Sequence, residues 1–441
     1  MNRAKNNYDV AVIGAGPAGM MAGISAARCG AKTVLIEKNE LPGRKLLLTG
    51  GGRCNIANFE TDLRQLVAAY GKSGAFLFHA FSEFGPKDAV NFFNKAGVET
   101  AIENNRRVFP KSGKAQDVLD ALLRLIDESG AELVSGNAAT KIEKKENSIS
   151  EIILADGRKI SAKSYIIATG GKSYPGTGST GNGYDWAHDA GHRIIKLAPA
   201  LVPIRVKEEW AKELTGVCLP RAGMAVSQNK KKMINAAGEI LFTHFGLSGP
   251  AILNASAAIG ELLEAGEVAI HLNIFCEKNR DQLEKMIIGD FSRNPNKTLK
   301  NCLAERMPSG LAPVVAQNAG IDPAKTVNMV TREERRRLVQ TAQNLELTVS
   351  GLLEMETGMV TAGGVDLKNI DDKTMRSRIV NNLFFAGEII SVHGRTGGFN
   401  LQQSWSTGRC AGLSAARFAK TAKADRAGSG AASDLQIRET E

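Results

Sequence analysis

The stretch YDVAVIGAGPAGMMAGISAARCGAKTVLIEK, residues 8–38, decides the fold. Val10–Ile13 is a short apolar run rich in β-branched residues, which predicts a strand. A helical pattern follows it, and a second apolar strand is expected at Thr33–Ile36. Because glycines occupy the turn between the first strand and the helix, the stretch predicts the βαβ unit of a dinucleotide-binding domain.

The turn has the pattern Gly14-x-Gly16-x-x-Gly19, and the second strand ends on Glu37. Gly14 permits the tight turn, Gly16 lets a pyrophosphate approach the backbone, and Gly19 lets the helix pack closely on the strand. Free N–H groups at the helix N-terminus attract phosphates, and Glu37 is spaced to accept hydrogen bonds from ribose hydroxyls. The predicted contacts of this region also include Pro17, Ala18 and Lys38.

This turn alone does not separate FAD from NAD, but the next segment favours FAD. LLLTGGGRCNIAN, residues 46–58, places three glycines in a basic segment soon after the ribose-binding strand. Three flexible residues carry a high entropic cost on folding, which indicates that side chains are not tolerated at these positions. We therefore expect the backbone here to come within contact distance of the cofactor. The contacts predicted in this segment and directly before it are Arg44, Lys45, Thr49, Gly51, Arg53, Cys54 and Asn55.

Composition restricts the class of protein. The chain has 441 residues, 43% hydrophobic and 23% charged, which is typical of a multidomain globular enzyme. None of the six cysteines forms a Cys-x-x-Cys pair, so we expect no metal site and a reducing, cytoplasmic location. No apolar stretch is long enough to predict a membrane span, and the first residues do not resemble a secretion signal.

The net charge is +10, which raises the question of a nucleic-acid partner. The basic residues are spread along the chain, without the clustered basic and aromatic residues typical of nucleic-acid readers. We therefore expect a small-molecule substrate, no nucleic acid and no membrane. The sequence sets no oligomeric state.

Six ordered motifs carry a resemblance to a known family: GAGPAGMMAG (14–23), GRKLLLTGGGRCNIAN (43–58), IIATGGKSYPGTGSTGNGYDWAHDAGH (166–192), LFTHFGLSGPAILNAS (241–256), VTAGGVDLKNID (360–371) and LFFAGEIISVHGRTGGFNLQQSWSTG (383–408). Over residues 8–417 the chain resembles the single-chain bacterial FAD proteins that include a bile-acid pathway dienone reductase. The resemblance implies FAD, reductase chemistry and a flavin-binding domain split by an insertion. It does not fix the substrate.

The expected fold class is α/β, with a Rossmann-like FAD-binding domain of the glutathione-reductase type. It is interrupted by an inserted domain that is β-rich and then helical. The expected boundaries are 1–195 and 347–420 for the FAD-binding domain, 196–346 for the insertion and 421–441 for a disordered tail.

Two further regions are predicted to contact the cofactor. Thr169 and Gly170 end an apolar strand, and Gly387 and Glu388 end another. A glycine turn then leads into a long helix, whose N-terminus should face the flavin N1 and O2 edge, where reduction places negative charge. The contacts predicted at this turn and helix are Gly397, Gly398, Phe399, Asn400 and Leu401.

The function expected from these observations is hydride transfer from diffusible NAD(P)H through FAD to the conjugated double bond of an enone or dienone, such as a 3-oxo bile acid or a steroid. His393, Arg395 and His244 are the candidate catalytic donors, because such a reaction needs a donor to the developing enolate. Two alternatives stay open: an FAD-dependent amine oxidase, and an FAD-dependent protein that modifies or binds RNA.

Overall fold

A computed structural model describes the backbone of residues 6–435 and the side chains of residues 7–421. The strands are β1 (Asn6–Ile13), β2 (Thr33–Ile36), β3 (Ala57–Asn58), β4 (Thr100–Ile102), β5 (Arg107–Pro110), β6 (Glu132–Val134), β7 (Ala139–Lys145), β8 (Ser148–Leu154), β9 (Lys159–Ile167), β10 (Ile194–Ala200), β11 (Ile204–Val206), β12 (Cys218–Gln228), β13 (Lys231–Thr243), β14 (Gly246–Ser248), β15 (Val268–Asn273), β16 (Leu345–Leu352), β17 (Val360–Val365) and β18 (Leu383–Phe385).

The α-helices are α1 (Pro17–Arg28), α2 (Arg44–Leu48), α3 (Leu63–Ala68), α4 (Phe78–Glu83), α5 (Pro86–Lys95), α6 (Ala115–Glu128), α7 (Asn182–Asp189), α8 (Glu209–Glu213), α9 (Pro250–Ala265), α10 (Arg280–Arg293), α11 (Leu299–Leu303), α12 (Leu311–Asn318), α13 (Arg332–Gln343) and α14 (Phe399–Leu435).

The predicted βαβ unit is confirmed, and it forms the centre of the main sheet. β1 pairs in parallel with β2 on one edge and with β9 on the other. The full order is β6-β2-β1-β9-β8-β7, and β18 pairs in parallel with the end of β9. Val10 and Val12 face one hydrophobic cluster while Ala11 and Ile13 face another, so both faces of β1 are buried. Burial of both faces is typical of parallel sheets covered on each side.

Helices α1 and α14 pack at backbone contact distance on this sheet. A Cβ added to Gly408 would lie 2.3 Å from the carbonyl oxygen of Ala18, and one added to Gly412 would lie 2.2 Å from that of Ala22. No side chain fits at either glycine unless the helices separate. The small residues therefore set the distance between the first and last helices of the domain.

A second compact unit, Pro199–Met359, has its own hydrophobic core. Six strands close into a barrel in the order β11-β14-β13-β12-β15-β16, with antiparallel pairing throughout. Helices α10 to α13 lie between β15 and β16 in the chain. This arrangement is a β-rich and then helical insertion, although its last strand returns to the barrel.

The structure places the ends of the insertion later than expected, at 198/199 and 359/360 rather than at 195/196 and 346/347. The reason at the second end is β16, which pairs with β15 and β11 and so completes the barrel. Where the sequence predicted a disordered tail at 421–441, the structure gives residues 421–435 a helical backbone as the end of α14, and residues 436–441 lie outside the described residues. Among the described residues, no helix is long and apolar enough to cross a bilayer.

The contact between α1 and α14 predicts that alanine substitutions at two helical glycines change the free energy of unfolding in opposite directions. Gly412→Ala should lower the free energy of unfolding by about 1–3 kcal/mol, because the added methyl group meets the α1 backbone. Gly289→Ala in α10 should raise it by up to about 1 kcal/mol, because no atom lies within 4 Å of that position and alanine favours helix. Urea unfolding of both variants measures the difference. Equal effects would mean that the two helices are not in backbone contact.

Candidate functional site

The turn between β1 and α1 is built from glycines that serve different purposes. Gly14 has a φ of 98°, and its N–H donates to the carbonyl oxygen of Ile36 at 2.8 Å. A Cβ on Gly14 would lie 2.6 Å from the carbonyl oxygen of Ala168, and one on Gly19 would lie 1.8 Å from that of Gly14. A Cβ on Gly16 would meet no atom within 4 Å. Packing thus requires Gly14 and Gly19, whereas Gly16 leaves the surface at the helix end open.

The first turn of α1 offers backbone donors. Its N-cap residue, Gly16, supplies no capping side chain, and Pro17 has no N–H. The N–H groups of Ala18 and Gly19 belong to the first turn, where N–H groups lack partners within the helix. A Cβ on Gly387 would lie 2.6 Å from the Cβ of Ala18, so the segment after β18 lies directly against this turn. Such a helix end suits a phosphate group.

Glu37 follows β2 and is nearly buried, with 7% of its surface exposed. One carboxylate oxygen accepts the Ala15 N–H at 2.9 Å. The other accepts the backbone N–H of Asn39 at 2.9 Å and its side-chain N–H at 2.8 Å. These bonds fix the carboxylate beside the glycine turn, where the sequence predicts a ribose. Asn39, which the sequence analysis missed, orients it.

The predicted cationic contacts after β2 all have protein partners. Lys38 donates to the hydroxyl of Thr180 at 2.7 Å, and burial lowers the pKa of this lysine. Arg44 donates to the side-chain oxygen of Asn39 at 3.4 Å. Lys45 forms a 2.7 Å ion pair with Glu388. Lys45 therefore neutralises a carboxylate in this structure, and its contact with the pyrophosphate stays a prediction.

Glu388 joins three separate segments of the chain. Besides Lys45 from α2, its carboxylate accepts the backbone N–H of Thr361 at 2.9 Å and the hydroxyl of Ser173 at 3.1 Å. Lys45 also donates to Ser173 at 2.7 Å. The pair is mostly buried, since the side chains are 21% and 17% exposed. The network holds the end of β18 in place, and neither Ser173 nor Thr361 was predicted.

The triple-glycine loop has a left-handed backbone. Gly50, Gly51 and Gly52 have φ values of 59°, 67° and 85°, and Cys54 has a φ of 61°. The Cys54 N–H closes the loop by donating to the carbonyl oxygen of Thr49 at 2.9 Å. Glycine adopts this conformation without steric cost. Backbone conformation is therefore one reason for the three glycines, in addition to the close approach that we predicted.

Two residues of this loop do not stand free for a cofactor. The Cys54 side chain is fully buried, and burial raises the pKa of its thiol to about 12. Arg53 pairs with Glu103, and its guanidinium lies 4.0 Å above the ring of Phe109. Both side chains make contacts within the protein, and the cofactor contacts expected of Arg53 and Cys54 stay predictions.

β9 ends at Ile167, so Thr169 and Gly170 follow the strand and do not end it as expected, and Thr169 lies beside the glycine turn. However, the Thr169 hydroxyl is buried, with no hydrogen-bond partner among the described residues. A Cβ on Gly183 would lie 2.1 Å from it, so α7 covers this hydroxyl. Only the backbone of this segment, where Gly170 has a φ of 75°, is left to face a ligand.

The triple-glycine segment meets the turn before α14. With its amide oriented so that both polar atoms are satisfied, Asn55 accepts the Gly398 N–H at 3.1 Å. Asn58 donates to the carbonyl oxygen of Gly397 at 3.1 Å. A Cβ on Gly398 would lie 2.3 Å from the carbonyl carbon of Ala57. Two motifs far apart in the chain therefore form one surface.

Two side chains hold the N-terminus of α14 and the turn before it. Asn400 accepts the Gly394 N–H at 2.8 Å, and the Tyr70 hydroxyl donates to the carbonyl oxygen of Phe399 at 2.6 Å. Leu401 is nearly buried. Sequence reasoning missed Tyr70, since no local pattern indicates a contact between residues 329 positions apart.

The predicted catalytic residues fall in two places. His393 is half-buried and Arg395 is exposed, both just before α14. The Arg395 backbone N–H donates to the carbonyl oxygen of Ala69 at 3.2 Å, whereas its guanidinium has no bonding partner within residues 7–421. His244 belongs to the second unit, where it is exposed between β13 and β14 and packs on Phe245. No cluster of three or more metal-ligating side chains occurs in the described part of the chain.

Comparison with known proteins agrees with this architecture. The family model described as the HI0933-like protein Rossmann domain matches residues 8–414. The 3-dehydro-bile acid delta(4,6)-reductase of Clostridium scindens is 28% identical over 92% of this chain and 98% of its own length. The ribosomal RNA dihydrouridine synthase of Escherichia coli is 29% identical over 91% of this chain and 96% of its own length.

A solved structure shares the fold. The 3-ketosteroid-delta4-(5alpha)-dehydrogenase from Rhodococcus jostii RHA1 has a TM-score of 0.52 at 15% identity, covering 94% of this chain and 98% of that one. The family match spans nearly the whole sequence, so the predicted resemblance and fold class are confirmed. The chain belongs to the HI0933-like family, and by family and fold it is an FAD-dependent oxidoreductase built on a Rossmann-like domain.

Proposed function

We propose that this chain uses FAD and NAD(P)H to reduce a carbon–carbon double bond conjugated to a carbonyl group. One observation carries the proposal: two relatives similar over almost their full length are named for different substrates but for the same kind of reaction. Dihydrouridine is uridine with its 5,6 double bond reduced, and that bond is conjugated to the 4-carbonyl. A delta(4,6)-reductase likewise acts on double bonds of a ring ketone.

The residues of the first unit fit FAD. The turn Gly14–Gly19 would hold the pyrophosphate and Glu37 the adenosine ribose, since Gly16 leaves open the space that a Cβ would fill. The turn Gly397–Gly398 and the start of α14 would face the ring, where the positive end of a helix stabilises negative charge. When bound, FAD supplies hydride transfer between the nicotinamide and the substrate.

Arg395 and His393 would complete the reaction on the substrate. Hydride addition at the β-carbon leaves negative charge on the carbonyl oxygen, which needs a hydrogen-bond donor. Arg395 suits this role because its guanidinium stays protonated and has no bonding partner within residues 7–421. His393 would deliver the proton to the α-carbon, since imidazole exchanges protons near neutral pH.

The distribution of charge favours a pyrimidine base in RNA as the substrate. Residues 199–359 contain 19 Lys and Arg against 18 Asp and Glu, so nearly all of the net charge of +10 belongs to the unit that would hold FAD. A net positive charge attracts a phosphate backbone. This proposal revises our expectation that nucleic acid plays no part, which rested on the linear sequence.

A small-molecule enone is the second candidate substrate. The bile-acid reductase of Clostridium scindens is as similar to this chain as the RNA enzyme is. The enone and the uracil ring need the same donor at a carbonyl oxygen, so the assignment of Arg395 serves both substrates. His244, the third predicted donor, belongs to the second unit, and its catalytic role stays a prediction.

A half-reaction assay separates the two substrates. The protein is reduced anaerobically with NADPH or NADH and then mixed with unmodified large ribosomal RNA or with a 3-oxo-4-ene bile acid. We expect RNA to reoxidise the flavin, and uridine to gain two hydrogen atoms by mass spectrometry. Reoxidation by the bile acid alone would make the small molecule the substrate. Reoxidation by neither, together with oxygen consumption on amines, would contradict reduction of a double bond.

The role of Arg395 can be tested in the same two steps. Arg395→Ala should slow reoxidation by the substrate roughly 100- to 1000-fold, the usual cost of losing one transition-state donor. FAD content and the rate of flavin reduction by NAD(P)H should stay normal. Arg28→Ala, at the far end of α1, is the control and should change neither step. If Arg395→Ala loses FAD, or if both of its half-reactions match wild type, Arg395 has a structural role only.

A further inference from the structure

A line of basic side chains runs beside the turn that precedes α14. Its members lie on β5, on the turn before β5, on the segment between β5 and α6, and in the triple-glycine segment. We call it the basic ridge, and it consists of Arg53, Arg106, Arg107, Lys111 and Lys114.

Close contacts connect the ridge to the proposed ring end of the FAD site. A Cβ on Gly397 would lie 3.9 Å from the Cγ of Arg107. The Asn58 amide donates at 3.1 Å to the carbonyl oxygens of both Gly397 and Asn105. On the other side, the Ala115 N–H donates to the carbonyl oxygen of Gly52 at 2.9 Å. The ridge is therefore fixed to the turn and to the loop that border the site.

Three of the five basic groups are paired with glutamates: Arg53 with Glu103, Arg106 with Glu60, and Lys111 with Glu99. The other two are not. Arg107 donates only to the carbonyl oxygen of Asn104, at 3.2 Å, and Lys114 is exposed without an ion pair in the described part of the chain. The guanidinium of Arg107 adds to the effect of Arg53 in lowering the pKa of Glu103. The ridge thus keeps an excess of positive charge.

The turn that presents the ridge is conformationally costly. Asn105 and Arg106 both have a φ of 59°, and two successive left-handed residues other than glycine are uncommon. Strain of this kind clusters at functional sites. Glycine would relieve the strain at residue 106 but would remove a cation from the ridge.

We propose that the basic ridge binds the phosphodiester backbone of the RNA strand that carries the target base, with Arg107 and Lys114 as its unpaired contacts. The proposal rests on the RNA substrate proposed above. Guanidinium and ammonium groups bind phosphate oxygens without reading sequence, and such contacts position a strand. A strand fixed beside the turn Gly397–Gly398 would bring one of its bases to the start of α14.

The salt dependence of RNA binding tests the ridge. Binding of the FAD-loaded protein to unmodified large ribosomal RNA is measured by filter retention across a series of KCl concentrations. The slope of log K against log salt should become shallower by about 0.7–0.9 for each phosphate contact that is lost. We expect this change in Arg107→Gln and in Lys114→Gln. Arg107→Lys should keep the wild-type slope, because it keeps the charge.

Arg28→Gln is the matched control. Its side chain is exposed and unpaired within residues 7–421, at the end of α1 away from the site. It should keep the wild-type slope, and the flavin absorbance spectrum shows that each variant is folded. If both ridge variants keep the wild-type slope, the ridge does not bind RNA phosphates, and the proposed RNA substrate is unaffected. No binding by wild type would remove the RNA substrate as well.

NADPH also carries phosphate groups, which the basic ridge would bind by the same contacts as an RNA backbone. We expect flavin reduction by NADPH to proceed at the wild-type rate in Arg107→Gln and Lys114→Gln. If NADPH reduction slows while the RNA slope is unchanged, the ridge serves the nucleotide donor and its assignment to RNA is wrong.

Discussion

The backbone contact between α1 and α14 is the constraint on which the site depends. Ala18 in the first turn of α1 lies against both Gly387 and Gly408, where an added Cβ would come within 2.6 Å and 2.3 Å of it. α1 begins at the proposed pyrophosphate position, and α14 begins at the proposed ring position. The contact therefore fixes the two ends of the FAD site relative to each other. Close packing of this kind transmits small displacements, so the distance between the ends is well defined.

Several polar side chains around the site are bound by the protein itself. Glu37 binds Ala15 and Asn39, Glu388 binds Lys45, and the buried indole of Trp405 donates to the carbonyl oxygen of Ile56 at 2.9 Å. Such a network holds the backbone in one arrangement without a ligand, which is preorganisation. The backbone donors at the start of α1 and the guanidinium of Arg395 carry positive charge, and both favour a negatively charged ligand.

Local sequence patterns predicted the secondary-structure elements. Contacts between distant parts of the chain determined which partners the side chains bind and which side chains are buried. The βαβ unit and Glu37 follow from glycine spacing and apolar periodicity, which operate within about 30 residues. The partners of Lys45 and Arg53 do not follow from local patterns. They are Glu388 and Glu103, which are distant in the chain, and any surface loop could have supplied a glutamate in their place. The insertion was expected to end before β16, since a strand separated from its barrel by four helices has no local signal of membership. Cys54 and Thr169 have polar side chains in a glycine-rich context, and only the packing shows that they are covered.

The identity and amount of flavin bound to the purified protein and to two variants test most directly whether the glycine turn before α1 binds FAD. Denatured wild-type protein should release FAD, one molecule per chain, by chromatography. Gly16→Val should retain almost none, because its side chain would fill the space left for the pyrophosphate. Gly351→Val, at a strand position with no atom within 4 Å of the added Cβ, should retain the full amount. FMN in place of FAD, or full FAD content in Gly16→Val, would contradict the account.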